Sequence, residues 1–325
     1  MLIRFWGVRG SLPSPILPAD VKAKIAGILE QMVPEDIASA ESRERFIAGL
    51  PPWLYGTVGG NSLCVSVDIE GFGEPIIFDC GSGLRQMGIA CNAAHPAPSR
   101  YHIFFSHFHW DHILGFPFFN PAYNPSVTLE LYSPKPGLEE CLRAAMSEPY
   151  FPVRLENMMS SKRFHLLENP VSVGPATVAV PATVAVPATV AFKKMNHPGD
   201  SFAYLLNHNG KRFIYATDTE LTTADFARNE ENTGFFKNAD VIVLDSQYTL
   251  GEAIEKYSWG HTAFSLAVEF AANWGIKHLV LFHHDPAYDD RKLYGIVQSA
   301  RWYLQRMDIK GIEISLAVEG LEISL

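Results

Sequence analysis

The sequence predicts an α/β fold of the αββα type, in which two β-sheets pack face to face and helices cover their outer faces. Apolar runs typical of buried strands alternate with amphipathic runs at helical spacing, and several strand pairs are joined by glycine-containing turns typical of hairpins. Such elements bury their apolar faces most simply as stacked layers. Histidine-rich segments spread from residue 107 to residue 283 must converge if they share a site, which favours one domain over two.

The spacing of apolar residues locates the elements. Apolar or alternating runs predict strands at residues 2–8, 63–69, 75–79, 101–106, 127–132, 202–206, 212–216, 241–244, 277–282, 311–316 and 321–325. Helical spacing predicts helices at residues 21–32, 34–50, 84–90, 138–146, 262–274 and 290–307. Turn residues such as Gly71 and Asn209-Gly210 join neighbouring strands into hairpins, and Gly275 ends the helix that precedes it.

We expect a single domain of residues 1–325 that contains two insertions, at about residues 16–56 and at about residues 175–192. The first is helical, and two interpretations of it stay open: peripheral structure, or a cap that borders the active site. The second repeats Pro-Ala-Thr-Val-Ala-Val from residues 175, 181 and 187. An even repeat length keeps strand alternation in phase, and repeated prolines confine a strand to a sheet edge. We therefore expect a longer edge strand or hairpin without a chemical role.

Composition narrows the class of protein. Apolar residues make up 47% of the chain, enough for a sizeable core, and the net charge of −9 argues against an extended nucleic-acid-binding surface. The uncharged stretch 171–192 is long enough to cross a bilayer, but each of its prolines would remove a helical hydrogen bond, so no membrane span is expected. The absence of a signal-peptide pattern predicts a cytoplasmic protein. Four cysteines without a metal-binding spacing are expected to be free thiols: Cys64, Cys80, Cys91 and Cys141.

The segment from His107 to His112, His-Phe-His-Trp-Asp-His, directly follows an apolar strand and carries the clearest chemical signal. His107 and His109 are two residues apart, so in extended chain both imidazoles point the same way and can reach one metal ion. Asp111 and His112 follow at once and can serve a second ion. Packing alone is a poor explanation, because burying so many polar groups without ligation would be costly.

Other polar segments occur at predicted strand ends. They are Asp79-Cys80-Gly81-Ser82-Gly83, Asn196-His197-Pro198-Gly199, Ala216-Thr217-Asp218-Thr219 and Leu281-Phe282-His283-His284. In this order, and together with the histidine-rich segment, they resemble the motifs of the metallo-β-lactamase superfamily. The resemblance covers about residues 60 to 285 and implies an αββα sandwich of the metallo-β-lactamase type.

The resemblance also implies a set of metal ligands. His107, His109 and His197 would hold one divalent ion. Asp111, His112 and His283 would hold a second, and Asp218 would bridge the two. His284 competes with His283 for the last position, and the superfamily spacing favours His283. Asp79 is expected to orient a ligand or brace its loop rather than bind metal. Nitrogen and oxygen donors without a thiolate suit zinc first, with manganese or iron as alternatives.

His261, in Gly260-His261-Thr262, lies between the last two metal motifs. Superfamily members that cleave phosphodiesters have a similarly placed histidine that donates a proton to the leaving oxygen, and the pKa of histidine suits that role. The alternative is a histidine at the start of a helix that bonds to backbone, with Thr262 as the helix cap. Asp111 and His261 are therefore the residues expected to support catalysis.

The ligand set resembles the phosphodiesterase and tRNA 3′-processing branches of the superfamily. Members that process tRNA carry a His-Glu-Ala-Thr motif where this chain has Leu244 and Asp245, and no arm rich in glycine and lysine is seen. We therefore expect a phosphodiesterase that acts on a small or cyclic phosphodiester through a hydroxide shared by two ions. A tRNA 3′-end endoribonuclease, a lactone, thioester or carboxyl-ester hydrolase, and a non-catalytic metal-binding sensor are the alternatives.

Three further expectations concern the surroundings of the site and the partners of the chain. The aromatic segments 115–119 and 149–153 are interpreted as core, with the alternative that they wall the pocket mouth and stack on a base. A small phosphodiester is the expected partner. Extended nucleic-acid binding is not expected, and a homo-oligomer stays open.

Overall fold

Two seven-stranded sheets pack against each other in the computed structural model, which describes residues 1–167, 177–179 and 188–325. The strands of these ranges are β1 (Leu2–Gly7), β2 (Cys64–Asp68), β3 (Ile76–Phe78), β4 (Arg100–Phe104), β5 (Thr128–Ser133), β6 (Ser161–Leu166), β7 (Thr177–Ala179), β8 (Ala188–Lys194), β9 (Phe202–His208), β10 (Lys211–Ala216), β11 (Val241–Asp245), β12 (His278–Phe282), β13 (Glu313–Leu316) and β14 (Glu322–Ser324). The first sheet has the order β14-β1-β2-β3-β4-β5-β6, and the second has the order β13-β12-β11-β10-β9-β8-β7.

Helices cover the outer faces of both sheets. Those in the described ranges are α1 (Pro18–Leu29), α2 (Ala40–Gly49), α3 (Pro52–Tyr55), α4 (Gly83–Ala93), α5 (Trp110–Ile113), α6 (Leu138–Ala145), α7 (Glu230–Phe236), α8 (Leu250–Glu255), α9 (Phe264–Trp274) and α10 (Asp290–Arg306). Helices α4 and α6 pack on the first sheet, and α9 and α10 pack on the second. The predicted αββα sandwich is confirmed.

Aromatic side chains fill the space between the two sheets. Phe78 of the first sheet lies at the centre, with ring centroids 5.3 Å from Tyr215 and 5.7 Å from Phe104, Tyr204 and Phe213. All five rings are buried. Since β3 and β4 contribute to one sheet and β9 and β10 to the other, this ring cluster fixes the sheets against each other.

Strand direction brings the polar segments to one edge of the sandwich. In the first sheet, β3 and β4 run parallel, and Asp79 and His107 follow their carboxyl ends. In the second sheet, β10, β11 and β12 run parallel to one another, and β8 shares their direction because β9 is antiparallel to both of its neighbours. The residues that follow these strands therefore meet at the same edge.

The helical segment between residues 16 and 56 differs from its prediction in one respect. A continuous helix over residues 34–50 was expected, but a 3-10 turn spans Pro34–Ile37 and α2 begins only at Ala40. Ser39 interrupts the helix, because its backbone is extended and its side chain accepts a hydrogen bond from the backbone N–H of Ser42 as an N-cap.

The same segment is fastened to Asp290, the first residue of α10. Lys24 of α1 donates from Nζ to Asp290 at 2.7 Å and to the carbonyl of Gly56 at 2.6 Å. Asp290 also accepts a hydrogen bond from the backbone N–H of Val58 at 2.9 Å. Between α1 and residues 286–291 lies a cavity of about 750 Å³.

The repeat insertion predicted over residues 175–192 is described only in part. Thr177–Ala179 forms β7, which pairs antiparallel with β8 at the edge of the second sheet. Residues 168–176 and 180–187 lie outside the described residues. Of the helices in the described ranges, none is both long enough and apolar enough to cross a lipid bilayer.

The ring cluster leads to a stability prediction. Phe78→Ala should lower the free energy of unfolding by about 3–5 kcal/mol, because it removes a buried ring and leaves a cavity. Denaturant unfolding followed by circular dichroism measures the change. Phe118→Ala removes the same side chain from a position that is 48% exposed, and should cost about 1 kcal/mol or less. Equal losses at the two positions would contradict a central role for Phe78.

Candidate metal centre

The histidine-rich segment changes from extended chain to helix at its midpoint. Strand β4 ends at Phe104, His109 is still extended, and the short helix α5 starts at Trp110. The extended part presents His107 and His109, whose ring centroids are 4.3 Å apart. The first turn of the helix presents Asp111 and His112. His107 and His112 are fully buried, whereas His109 is exposed, so the site opens to solvent on the side of His109.

One group of ligand atoms is formed by His107, His109, His197 and Asp218, which lie within 4.8 Å of one another. His197 follows β8, and its Nδ1 donates to the carbonyl of Gly260 at 2.9 Å. Because that nitrogen carries the hydrogen, Nε2 keeps its lone pair and lies 3.3 Å from Nδ1 of His109. Three imidazoles and a carboxylate oxygen therefore face one point.

A second group is formed by Asp111, His112, Asp218 and His283, again within 4.8 Å of one another. The Nδ1 of His112 bonds to Asp79 at 2.8 Å, and the Nδ1 of His283 bonds to the side-chain oxygen of Gln247 at 3.0 Å. In both rings this leaves Nε2 directed into the group. The structure thus brings together all seven residues predicted to bind metal.

Asp218 belongs to both groups, and each of its oxygens faces a different one. Oδ1 lies 3.8 Å from Nε2 of His107 and 3.6 Å from Nε2 of His197. Oδ2 lies 3.0 Å from Nε2 of His112 and 3.1 Å from Nε2 of His283. A carboxylate in this position can bridge two cations.

The donors meet the requirements of divalent metal ions. The Nε2 atoms of His107, His112 and His283 are buried and have no hydrogen-bond partner within the part of the chain that the structure describes. Buried polar atoms normally have a partner, so three such nitrogens around one carboxylate indicate that cations complete the site. All donors are nitrogen or oxygen, which suits zinc, manganese or iron.

Electrostatics favour positive charge at the second group. Burial alone would lower the pKa of His283, but the carboxylates of Asp218 and Asp111 raise this pKa to about 10. Burial alone would raise the pKa of Asp111, but the neighbouring His112 and His283 hold that pKa well below its usual range. Two buried carboxylates therefore require positive charge between them, which divalent cations supply more effectively than protons.

Asp79 lies behind the ligands rather than among them. Its carboxylate is fully buried and accepts hydrogen bonds from the backbone N–H and the hydroxyl of Ser106, from the hydroxyl of Tyr215 and from His112, at 2.7 to 2.9 Å. It belongs to neither group of ligand atoms. This is the arrangement expected of a residue that orients His112.

His284, the alternative ligand, points away from the centre. Its Nε2 donates to the carbonyl of Ala317 at 2.8 Å, and burial lowers its pKa to about 3. Its neighbour His283 is the member of the second group. The two adjacent histidines therefore occupy different environments, one structural and one at the site.

His261 lies beside the two groups and bonds to a carboxylate. Its Nδ1 is 2.7 Å from Oδ2 of Asp245, and its ring centroid is 4.7 Å from that of His283 and 5.2 Å from that of His197. The alternative interpretation expected His261 to bond to the backbone at the start of a helix. Its Nδ1 instead bonds to the side-chain carboxylate of Asp245. Asp245 was not predicted as a functional residue, although it ends β11 at the same sheet edge as the ligands.

The prediction that Thr262 caps a helix was wrong. Helix α9 begins at Phe264, with Ala263 as its N-cap residue. The Thr262 hydroxyl instead donates to the carbonyl of Thr219 at 2.5 Å and accepts from the backbone N–H of Leu221 at 3.1 Å. It therefore ties the loop after Asp218 to the segment that carries His261.

The comparison with sequence families identifies the family to which the chain belongs. The sequence profile described as the beta-lactamase superfamily domain matches residues 75–284, well over half of the chain. The chain belongs to the metallo-β-lactamase superfamily. The resemblance inferred from the motifs is confirmed, and the protein is a metal-dependent hydrolase.

Similar proteins support this assignment. Ribonuclease Z of Prochlorococcus marinus (strain NATL2A) is 26% identical over 254 residues, which cover 65% of this chain and 78% of the relative. The structure resembles that of the short form of human tRNase Z, with a TM-score of 0.60, 18% identity and coverage of 100% and 99% of the two chains. It also resembles a diphosphatase from the PhnP family, with a TM-score of 0.61, 15% identity and coverage of 100% and 97%.

Two glycines that sequence reasoning missed lie against ligands of this metallo-β-lactamase site. A Cβ on Gly10 would lie 2.2 Å from the ring of His283. Gly260 has φ of +88°, and a Cβ there would lie 2.3 Å from Nδ1 of His197. Any larger residue would displace the imidazole behind which it packs. The backbone N–H of Ser11, next to Gly10, also donates to Asp111 at 2.8 Å.

The ligand geometry predicts a metal content that can be measured. We expect the native protein to hold two divalent ions per chain after dialysis, by inductively coupled plasma mass spectrometry. Asp218→Ala should bind both ions far more weakly, because each group loses an oxygen donor. His284→Ala serves as the matched control and should keep both ions, because this buried histidine faces Ala317. A native content of one ion, or the loss of ions in the control, would contradict the two-ion arrangement.

Proposed function

We propose that this protein is a dinuclear phosphodiesterase, in which the seven clustered residues hold two divalent ions and His261 acts as a general acid. Two features together carry the proposal. Asp218 faces both groups of ligand atoms, and the hydrogen-bonded pair of His261 and Asp245 lies beside them. Hydrolysis of a thioester needs no separate proton donor of this kind, because its thiolate leaving group is stable. Cleavage of a phosphodiester with an alkoxide leaving group does need one.

The bound ions and the protein side chains would contribute different parts of the reaction. Two divalent ions bound here would supply Lewis-acid catalysis, through activation of water and neutralisation of phosphate charge. In hydrolysis, a water oxygen bonds to phosphorus while the P–O bond to the leaving group breaks, and the departing oxygen must receive a proton. His261 is suited to provide it from Nε2, because its Nδ1 is bonded to Asp245. Asp245 fixes the orientation of the ring through this hydrogen bond.

Positive charge near the proton donor fits an anionic substrate. The Nζ of Lys256 lies 4.3 Å from the ring centroid of Tyr248, and Tyr248 meets the ring of His261 edge-on at 5.6 Å. Lys256 is also 3.4 Å from Asp285, close to His283 in the sequence. This charge is local, since the chain as a whole has a net charge of −9.

Two kinds of phosphodiester are consistent with such a site. The net negative charge and the absence of a sequence rich in glycine and lysine favour a small or cyclic phosphodiester. The name of the matched relatives, ribonuclease Z, favours an RNA 3′ end as the second candidate. Parallel assays with 2′,3′-cyclic AMP, 3′,5′-cyclic AMP and a precursor tRNA carrying a 3′ trailer separate the two.

The free thiols of all four cysteines fit the proposed cytoplasmic location.

Hydrolysis of bis(p-nitrophenyl) phosphate provides the first test. Native protein loaded with metal should release p-nitrophenolate, and Asp111→Ala should lose at least about 100-fold in kcat because the second group loses a ligand. The same protein should act far more slowly on p-nitrophenyl acetate and on a lactone. Preference for the acyl substrates would replace the proposal with an ester hydrolase. Inactivity on every substrate, with two ions bound, would indicate a non-catalytic metal-binding protein.

The role of His261 is tested by varying the leaving group. His261→Ala should lower kcat by about 10²–10⁴ for diesters with alkyl leaving groups, and far less for p-nitrophenolate, which departs without a proton. Asp245→Asn should show the same pattern more weakly. Metal content must stay at the native value in both variants, since neither residue belongs to the two proposed ion sites. An equal loss for good and poor leaving groups would exclude His261 as the general acid.

A further inference from the structure

Helix α1 turns its polar side towards the rest of the protein and its apolar side towards solvent. Asp20, Lys24 and Gln31 line the cavity next to residues 286–291, and Lys24 bonds to Asp290. Apolar residues recur instead at every fourth position from the N-cap of the helix and are 41 to 58% exposed: Leu17, Val21, Ile25 and Leu29. A surface helix normally packs its apolar side on the core, so the orientation of α1 is inverted.

The helical segment that contains α1 has no core of its own. Within residues 11–49, all of which the structure describes, no side chain is buried. Further apolar residues of this segment are 41 to 56% exposed: Leu12, Val33, Ile37 and Ile47. Exposed apolar residues concentrated in one segment mark a surface that another molecule covers.

The spacing along α1 fits a second copy of the same chain. Antiparallel packing of two α1 helices about a two-fold axis at Ile25 would place Val21 of each copy against Leu29 of the other, because both residues lie four positions from Ile25. Leu17 and Val33, each eight positions from Ile25, are exposed at the two ends of the same pattern. A two-fold interface requires such a self-complementary patch, and an interface with an unrelated protein does not.

The charged residues beside the apolar row fit the same arrangement. Lys22 and Glu30 are both exposed, and across the described ranges neither side chain forms an ion pair or a hydrogen bond. Lys22 stands three positions before Ile25, and Glu30 stands five positions after it. In the antiparallel pair, Lys22 of one copy and Glu30 of the other would lie on the same side of the helices, about 3 Å apart along the axis. Symmetry repeats this contact, so opposite charges face each other twice.

We propose that α1 is the interface of a homodimer, in which two copies pack antiparallel about Ile25 and Lys22 of each copy faces Glu30 of the other. The dimer removes from water the apolar side of α1 that a single chain leaves exposed. It also gives the segment of residues 16–56 a role in assembly. This role is independent of the metal centre and of the proposed phosphodiesterase activity.

Sedimentation velocity of the full chain measures the assembly. Between about 1 and 100 μM, the 36.1 kDa monomer should convert to a species of twice that mass, with a Kd on the order of micromolar. Ile25→Glu should abolish the dimer, because it places two carboxylates at the two-fold axis. Ile254→Glu is the matched control on α8, where the isoleucine is 71% exposed, and should leave the dimer intact. Circular dichroism and metal content should stay native in both variants.

Charge reversal tests the antiparallel arrangement. Lys22→Glu and Glu30→Lys should each raise the Kd of the dimer about tenfold or more, because each brings like charges together twice. An equimolar mixture of the two variants should dimerise as well as the native protein, because every contact then joins opposite charges. Failure of the mixture to recover would overturn the antiparallel arrangement. A monomer at all concentrations, or dissociation by Ile254→Glu and not by Ile25→Glu, would overturn α1 as the dimer interface.

Discussion

The carboxylate of Asp218 is the feature on which the arrangement of the site depends. It is buried at the edge where the two sheets meet, and each of its oxygens faces histidine nitrogens of a different group. A single buried charge with one partner would be unstable in such surroundings. Here four imidazoles surround the carboxylate. Polar side chains whose burial would otherwise destabilise the sandwich therefore form a site for cations.

Convergence requires that each imidazole be fixed at its other nitrogen. His112 is held by Asp79 after β3, His283 by Gln247 after β11, and His197 by the carbonyl of Gly260 before α9. Three partners from three parts of the chain thus set three ring orientations. The backbone contributes as well, because Asp79, Asp218 and His283 all have positive φ. Such conformations cost about 1–3 kcal/mol each and persist where the surrounding packing enforces them. Tyr215 of the aromatic cluster around Phe78 donates a hydrogen bond to Asp79, so this cluster contributes to that packing.

Sequence patterns predicted the parts of this protein that depend on neighbouring residues. The strand before His107, the hairpin before Asp79 and the two-residue spacing of His107 and His109 are local signals, and the structure contains them. The bond between His261 and Asp245 joins residues 16 positions apart through the packing of β11 against the loop before α9, which no local pattern specifies. Gly10 reaches His283 from the other end of the chain for the same reason. The predictions of a helix cap at Thr262 and of a continuous helix over residues 34–50 failed because a hydroxyl can cap a helix, tie two loops or interrupt a helix. Only its three-dimensional neighbours decide which.

The metal ligands come from both sheets, so bound ions would affect the stability of the fold. Each group combines residues that follow a strand of the first sheet with residues that follow a strand of the second, for example His107 with His197 and His112 with His283. Bound ions would therefore cross-link the two halves of the sandwich in the way that a disulfide cross-links two loops. An unfolded chain cannot present ligands that lie up to 176 residues apart, from His107 to His283. By linkage, ions at 100 times their dissociation constant would add about 2.7 kcal/mol to the stability of the folded state for each independent site. Metal supply to the cell would then set the lifetime of this protein as well as its activity.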